Sequence, residues 1–198
     1  MPTHSDAVRQ LATARQQRTT EATIQSWVHQ VLAHPELRLG RVTLEYPLPG
    51  GRRIDLLAGR LVVKIKRDLR PSGALDNAAA QVGIYLLFMH AAAGHPHVGV
   101  VTDGAQWYAY VMRGHTLRRK GRHTVRPGMA EHEARRLIDW LGTMHALACP
   151  PQPRPAPPRP QPTAGLSALD DVLLIALLVA LVFTVAGLCA GWALATLQ

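Results

Sequence analysis

Seven residues have types and spacing that could act together on an anionic group: Glu21, Glu45, Asp55, Lys64, Lys66, Gln81 and Tyr85. Most fall in one stretch. It reads Glu45-Tyr46-Pro47-Leu48, then Gly50-Gly51-Arg52-Arg53-Ile54-Asp55-Leu56-Leu57, then Leu61-Val62-Val63-Lys64-Ile65-Lys66, and later Gln81-Val82-Gly83-Ile84-Tyr85. A carboxylate can hold a hard divalent cation, which polarises a bound oxygen and lowers the pKa of a bound water. A lysine can hold an anionic oxygen or position an attacking water. Strand residues two apart share a face. Positions 64 and 66 therefore point away from Leu61, Val63 and Ile65, and Asp55 points away from Ile54 and Leu56.

Elements able to position these side chains are visible in the apolar periodicity. Thr20 can cap a helix whose first turn holds Glu21 and whose apolar positions are Ile24, Trp27, Val28, Val31 and Leu32; Pro35 ends it. Glu21 is either an ordinary first-turn acid or an acid near the site. Three strands follow. Val42, Leu44 and Tyr46 alternate with Thr43 and Glu45 as a half-buried strand, Arg53–Leu57 forms the second, and Leu61–Lys66 the third. Glu45 either reaches the face that carries Asp55 or meets solvent. A helix is expected from about Ala74 to His90, with Leu75, Ala79, Val82, Leu86 and Met89 as its core stripe. Gln81 and Tyr85 lie one turn apart beside that stripe. Val98–Val101 reads as a buried strand, Asp103-Gly104 as a hairpin turn, and Gln106–Met112 as its return strand. A last helix is expected over Met129–Ala148. The order is helix, three strands, helix, two strands, helix. It gives an α/β fold with a central mixed sheet flanked by helices over residues 20–148, after a polar extension at 1–19.

This arrangement resembles the PD-(D/E)xK nuclease superfamily, and within it the N-terminal nuclease domain of type I restriction motor subunits. Asp55 matches the first motif position, Lys66 the last, and Gln81 with Tyr85 the helix that follows. The Val101-Thr102-Asp103-Gly104 run before a Trp107-bearing strand is also similar to that domain. The resemblance implies a restriction-endonuclease-like sheet, Mg²⁺-dependent phosphodiester hydrolysis with Asp55 as a metal ligand, DNA as substrate, and a role in defence against foreign DNA. One position departs from the pattern: Lys64 stands where the family has its metal-binding Glu. An ammonium there puts positive charge where the cation would sit. The expectation is thus a nuclease-like domain that binds DNA and cuts weakly or not at all. Two alternatives stay open. In one, Glu21, Glu45, Asp68 or Asp76 supplies the missing carboxylate; in the other, the domain is an interaction module with no nucleic-acid role.

Charge agrees with a polyanionic partner. The 198 residues carry 22 Lys and Arg against 13 Asp and Glu, a net charge of +9. The densest run is read as a basic loop over residues 113–127, with Arg113, Arg118, Arg119, Lys120, Arg122 and Arg126 as candidate phosphate contacts. Two cysteines, Cys149 and Cys189, exclude a disulfide framework or a paired-cysteine zinc site. His132-Glu133 lacks the second histidine of a zinc-protease helix, and no nucleophile elbow or phosphate-binding glycine loop occurs. The polar first twenty residues carry no apolar signal-peptide core.

Beyond the domain, residues 149–168 are a proline-rich linker, extended at about 3 Å per residue. Residues 169–198 read as a transmembrane tail anchor. No charge falls between Val172 and Leu197, a run longer than the ~20 residues that span a bilayer. The basic domain precedes the span, so the positive-inside rule puts it in the cytoplasm. Gly187 and Gly191 share one helical face there and could bring two copies together as a homodimer.

Overall fold

The computed structural model describes residues 4–14 and 16–149. The element order is α1 (His4–Thr13), α2 (Glu21–Leu32), β1 (Val42–Pro47), β2 (Arg53–Ala58), β3 (Leu61–Ile65), α3 (Ala74–Ala93), β4 (Val98–Thr102), β5 (Gln106–Arg113), β6 (Thr116–Thr124) and α4 (Ala130–Ala148). The six strands form one mixed sheet in the order β1-β2-β3-β4-β5-β6. Only β3 and β4 run parallel, and α3 makes the crossover between them, as a parallel connection requires. The other neighbours are antiparallel.

Helices cover both faces. Leu56, Ala58, Leu61, Val63, Ile65, Val98, Val100, Trp107 and Ala109 pack on one side against α1, α2 and α4. Val62, Val101, Tyr108 and Tyr110 pack on the other against Ala78, Val82, Tyr85, Leu86 and Met89 of α3. The fold is therefore α/β, a mixed sheet between helical layers, as the strand and helix periodicities imply. α2 begins where expected: Thr20 is extended and its side chain accepts from Thr23 N–H.

Three features differ from the sequence reading. Residues 4–13, read as part of a polar extension, are a helix whose Ala7, Val8 and Leu11 lie in the first core cluster beside Ile24 and Leu137. Alanines, one valine and one leucine supply that stripe, so its hydropathy is weak though its spacing is helical. Leu44 is 48 % exposed, because β1 is an edge strand with little above it. The basic loop is not a loop: residues 116–124 form β6, the other edge, paired along its length with β5. Arginine, lysine and glycine are weak strand formers, but an edge strand needs only one partner. Charged side chains also protect an edge from pairing with other chains.

Asp103, expected only as a turn residue, is fully buried. Its carboxylate accepts Leu69 N–H at 3.0 Å and Gln106 N–H at 2.9 Å, tying the segment after β3 to the β4–β5 turn. Asp103→Ala leaves the buried Leu69 N–H unsatisfied, at about 1–3 kcal/mol, and the part-buried Gln106 N–H unsatisfied at about 1 kcal/mol. Urea unfolding of the variant is expected to show a loss of roughly 2–4 kcal/mol with an unchanged slope, whereas a loss under 1 kcal/mol would mean that water replaces the carboxylate.

Among the described residues no helix is long and apolar enough to cross a membrane. The proline-rich linker, the segment read as a tail anchor and Gly187 with Gly191 lie outside them.

Candidate functional site

The site forms where β2 and β3 part. Their ladder pairs Ala58 with Leu61, Leu57 with Val62 and Leu56 with Val63. One step further Asp55 and Lys64 stand opposite each other, and side-chain bonds take over from the ladder. Asp55 Oδ2 accepts Ile65 N–H at 2.6 Å, and Asp55 Oδ1 accepts Lys64 Nζ at 2.8 Å. Both side chains are largely buried, at 15 % and 14 % exposed.

Local backbone geometry marks the same point. Glu45, on β1, has φ +50°, a left-handed conformation that non-glycine residues rarely adopt. Val42 packs on the α1, α2 and α4 side while Tyr46, of the same parity, packs on the α3 side. On β2 Leu56 and Ile54 divide in the same way. Both strands thus change faces at Glu45 and Asp55. Backbone strain of this kind concentrates at functional sites.

Gln25, one turn after Glu21 on α2, binds the two strands together. Its Nε2 donates to Glu45 Oε1 at 2.9 Å and to the Asp55 carbonyl at 2.9 Å. Glu21 Oε1 accepts Arg67 N–H at 3.1 Å, just past the end of β3. Sequence reasoning missed Gln25, although its spacing from Glu21 is the signal that could have found it.

Burial opposes the charge on Lys64. The hydrogen bond that Lys64 donates to Asp55 and the negative charge of that carboxylate outweigh the burial, with smaller help from Tyr85 and Glu21, and hold the lysine above its ordinary value. Those interactions also place Tyr85 and Glu21 around Lys64. Tyr85 is buried in the α3-side core. Gln81 is half-buried one turn earlier, and its side chain makes no hydrogen bond among the described residues. Lys66 lies beyond the strand end; its N–H donates to the Thr102 carbonyl, and its side chain has no ion pair among the described residues. The structure therefore gathers Asp55, Lys64, Glu21, Glu45 and Tyr85 at one end of the sheet.

Asp68 and Asp76 are the two remaining candidate metal ligands. Asp68 binds the Arg70 guanidinium at 2.7 Å, and Asp76 lies on α3 where its charge reaches Tyr110. This donor set does not fit Mg²⁺, which needs several oxygens in an octahedral shell. One Asp55 oxygen holds an ammonium and the other a backbone N–H. No group of three His, Cys, Asp or Glu side chains that could hold a metal occurs among the described residues.

The site continues across the sheet. Lys64 pairs with Val101, Val101 with Tyr108, and Tyr108 with Arg122, so one row runs from the Asp55–Lys64 pair to the β6 edge. Three strand spacings put its ends about 14 Å apart. The Arg122 guanidinium lies over the Tyr108 ring, 5.5 Å from its centroid. Tyr108 O–H donates to Gln106 Oε1. A bulge at Lys120 shifts the pairing from Ala109–Gly121 to Tyr110–Arg119. Arg119 pairs directly with Tyr110 as Arg122 does with Tyr108, and both tyrosines lie on the α3 side, so the two arginines share a face. Arg118 alternates to the opposite face, and Arg113 and Lys120 line a separate cleft near His90 and Leu147. The basic run is thus divided between surfaces. No protein-family model matches the chain, and neither curated proteins nor solved structures yield a match.

Proposed function

We propose that this chain is a membrane-tethered DNA-binding protein built on a restriction-endonuclease-like domain in which Lys64 replaces the catalytic cation as the charge beside Asp55. The observation that carries the reading is the 2.8 Å ion pair between Lys64 and Asp55. The resemblance in sequence places a metal-binding carboxylate at position 64, and the side chain there is instead an ammonium held by the one motif carboxylate. Such a pair offers a fixed positive charge to a phosphate oxygen without activating a water. Lys66, with no carboxylate of its own, adds a second contact, and Arg122 and Arg119 extend the positive face along the sheet. The uncharged run at 172–197 supports the membrane tether, with the domain on the cytoplasmic side. Participation in defence against foreign DNA follows from the family likeness alone.

A second reading has one observation in its favour. Glu21 and Glu45 both reach the Asp55 end of the sheet, so a Mg²⁺-dependent endonuclease with a relocated carboxylate is the alternative. A membrane-tethered interaction module is the third. Full-length protein in nanodiscs, titrated with labelled duplex and single-stranded DNA, separates them. Affinity is expected to fall steeply with salt, since each neutralised phosphate releases counterion. Arg119→Gln with Arg122→Gln is expected to lower the log–log salt slope by about 2, and Arg118→Gln on the opposite face to change it far less. Weak binding to both DNA forms at low salt would leave the interaction module standing. Nicking of plasmid DNA that requires Mg²⁺ or Mn²⁺ would favour the endonuclease.

A further inference from the structure

A cleft lies near the end of β3, beside the segment that follows Lys66. The turn between α1 and α2 and the segment after β3 enclose this cleft of about 370 Å³, lined by Ala14, Arg18, Thr19, Arg67, Asp68 and Arg70. We propose that this cleft is a phosphate subsite, holding a backbone phosphate of the same nucleic-acid strand that crosses Lys64. The inference rests on the DNA-binding reading and adds to it a site that the basic run at 113–127 does not contain.

Its charge is uneven in a definite way. Asp68 is committed to Arg70: its carboxylate accepts Arg70 Nε at 3.0 Å and 3.1 Å, Arg70 Nη2 at 2.7 Å and the Arg70 backbone N–H at 2.9 Å. Arg18 and Arg67 make no side-chain hydrogen bond or ion pair among the described residues, yet both line the cleft. Arg18 is presented by a left-handed backbone, φ +51°, at the α1–α2 turn. Three guanidiniums thus face one carboxylate that is already engaged. A concave surface of one sign concentrates the opposite charge. Guanidinium forks match the oxygens of a phosphate, and a tetrahedral group can accept from two forks at once where a planar carboxylate aligns with one.

The neighbouring geometry favours a strand over an isolated phosphate. Arg67 directly follows Lys66, and its N–H is held by Glu21, whose charge also reaches Lys64. Arg67 is three positions on from Lys64, so their backbones lie at most about 10 Å apart. A polymer with a phosphate at every nucleotide can engage both places together.

The test is the double variant Arg18→Gln/Arg67→Gln, made in the full chain and held in nanodiscs. Both residues are exposed, so the fold is expected to persist, and circular dichroism melts check it. A control pair, Arg41→Gln/Arg135→Gln, removes the same charge from other exposed positions. With labelled single-stranded and duplex DNA, the cleft variant is expected to bind about tenfold more weakly. Its salt slope should fall by about 1.4 to 1.8, and the control pair should show a smaller change. A cleft variant indistinguishable from the control overturns the proposal while leaving DNA binding intact. A wild type that binds neither DNA form removes both. Short-chain phosphatidylserine that shifts the melting temperature of the wild type but not of the cleft variant, with equal DNA affinity in the two, would assign the cleft to a lipid headgroup and overturn the strand.

Discussion

Lys64→Glu is expected to turn a protein indifferent to Mg²⁺ into one that Mg²⁺ stabilises. The substitution removes the ammonium from Asp55 Oδ1 and puts a second carboxylate opposite it, at the step where β2 and β3 part. Without metal the two negative charges repel, so one takes up a proton more readily and the variant is less stable than the wild type by on the order of 1–3 kcal/mol. Asp55 Oδ2 keeps its bond from Ile65 N–H, which keeps the carboxylate oriented. With metal, Asp55 and the new Glu both present oxygens, and Glu21 stands within electrostatic reach of the same position. At a Mg²⁺ concentration about a hundred times the dissociation constant, binding adds roughly 2.7 kcal/mol. For a chain of this size that raises the melting temperature by about 5–10 °C. Melting curves with Mg²⁺, Mn²⁺ and chelator are the measurement, and the wild type should show no shift. Lys64→Glu combined with Asp55→Ala should lose the gain. Plasmid nicking supplies the activity readout. Robust metal-dependent nicking by the wild type, abolished by Asp55→Ala or Lys66→Ala, would show that another carboxylate completes the site and that Lys64 does not replace the cation.

The face that carries Lys64 was legible because strand parity is a local property, whereas the change of face at Glu45 and Asp55 was not. Lys64 falls opposite Val63 and Ile65 whatever the rest of the chain does, and Asp55 lies within one hairpin of it. The Asp55–Lys64 contact was less accessible. It depends on the ladder pairing Leu56 with Val63, and that pairing depends on the two-residue turn at Gly59, whose φ of +55° suits glycine. Asp55 is the first carboxylate of the motif, and the opposed lysine makes it half of an ion pair. Gln25 meets β1 and β2, and Arg18 and Arg67 come to line one cleft, only when α2 and the α1–α2 turn close against the end of β3. No spacing within one element reports such an approach. The strand at 116–124 was hidden for a different reason. Its bulge at Lys120 breaks the two-residue period, so no alternation survives across it. α3 was the clearest element, since its buried positions repeat over twenty residues. How closely it lies on the sheet could not be read from that repeat.

That closeness rests on Gly99. It sits in β4, between Val62 on β3 and Tyr110 on β5, directly under α3. A Cβ at this position would lie 2.0 Å from Val82 Cγ1 and 3.2 Å from Leu86 Cδ1. Val82 is fully buried on α3, and a β-branched side chain in a helix has one strongly preferred χ1 rotamer, so it cannot swing aside cheaply. The helix itself must move. Gly99→Ala is therefore expected to cost about 3 kcal/mol, the upper end of ordinary overpacking, even though alanine is otherwise favoured over glycine within a strand. Val82→Ala alone removes two buried methyl groups and is expected to cost about 2 kcal/mol. Together the changes should be compatible, because the methyl added on β4 enters the space vacated on α3. The double variant is expected to be more stable than the sum of the singles predicts by about 2 kcal/mol, against the 0.3–0.5 kcal/mol typical of independent sites. Urea unfolding of the four proteins measures this, and plain additivity would mean that α3 does not lie against Gly99. The consequence reaches the site, because Val82 is flanked on α3 by Gln81 and, three residues on, by Tyr85. A helix lifted by Gly99→Ala carries Tyr85 away from Lys64, so under the proposed DNA-binding function affinity should fall in the single variant and recover with Val82→Ala.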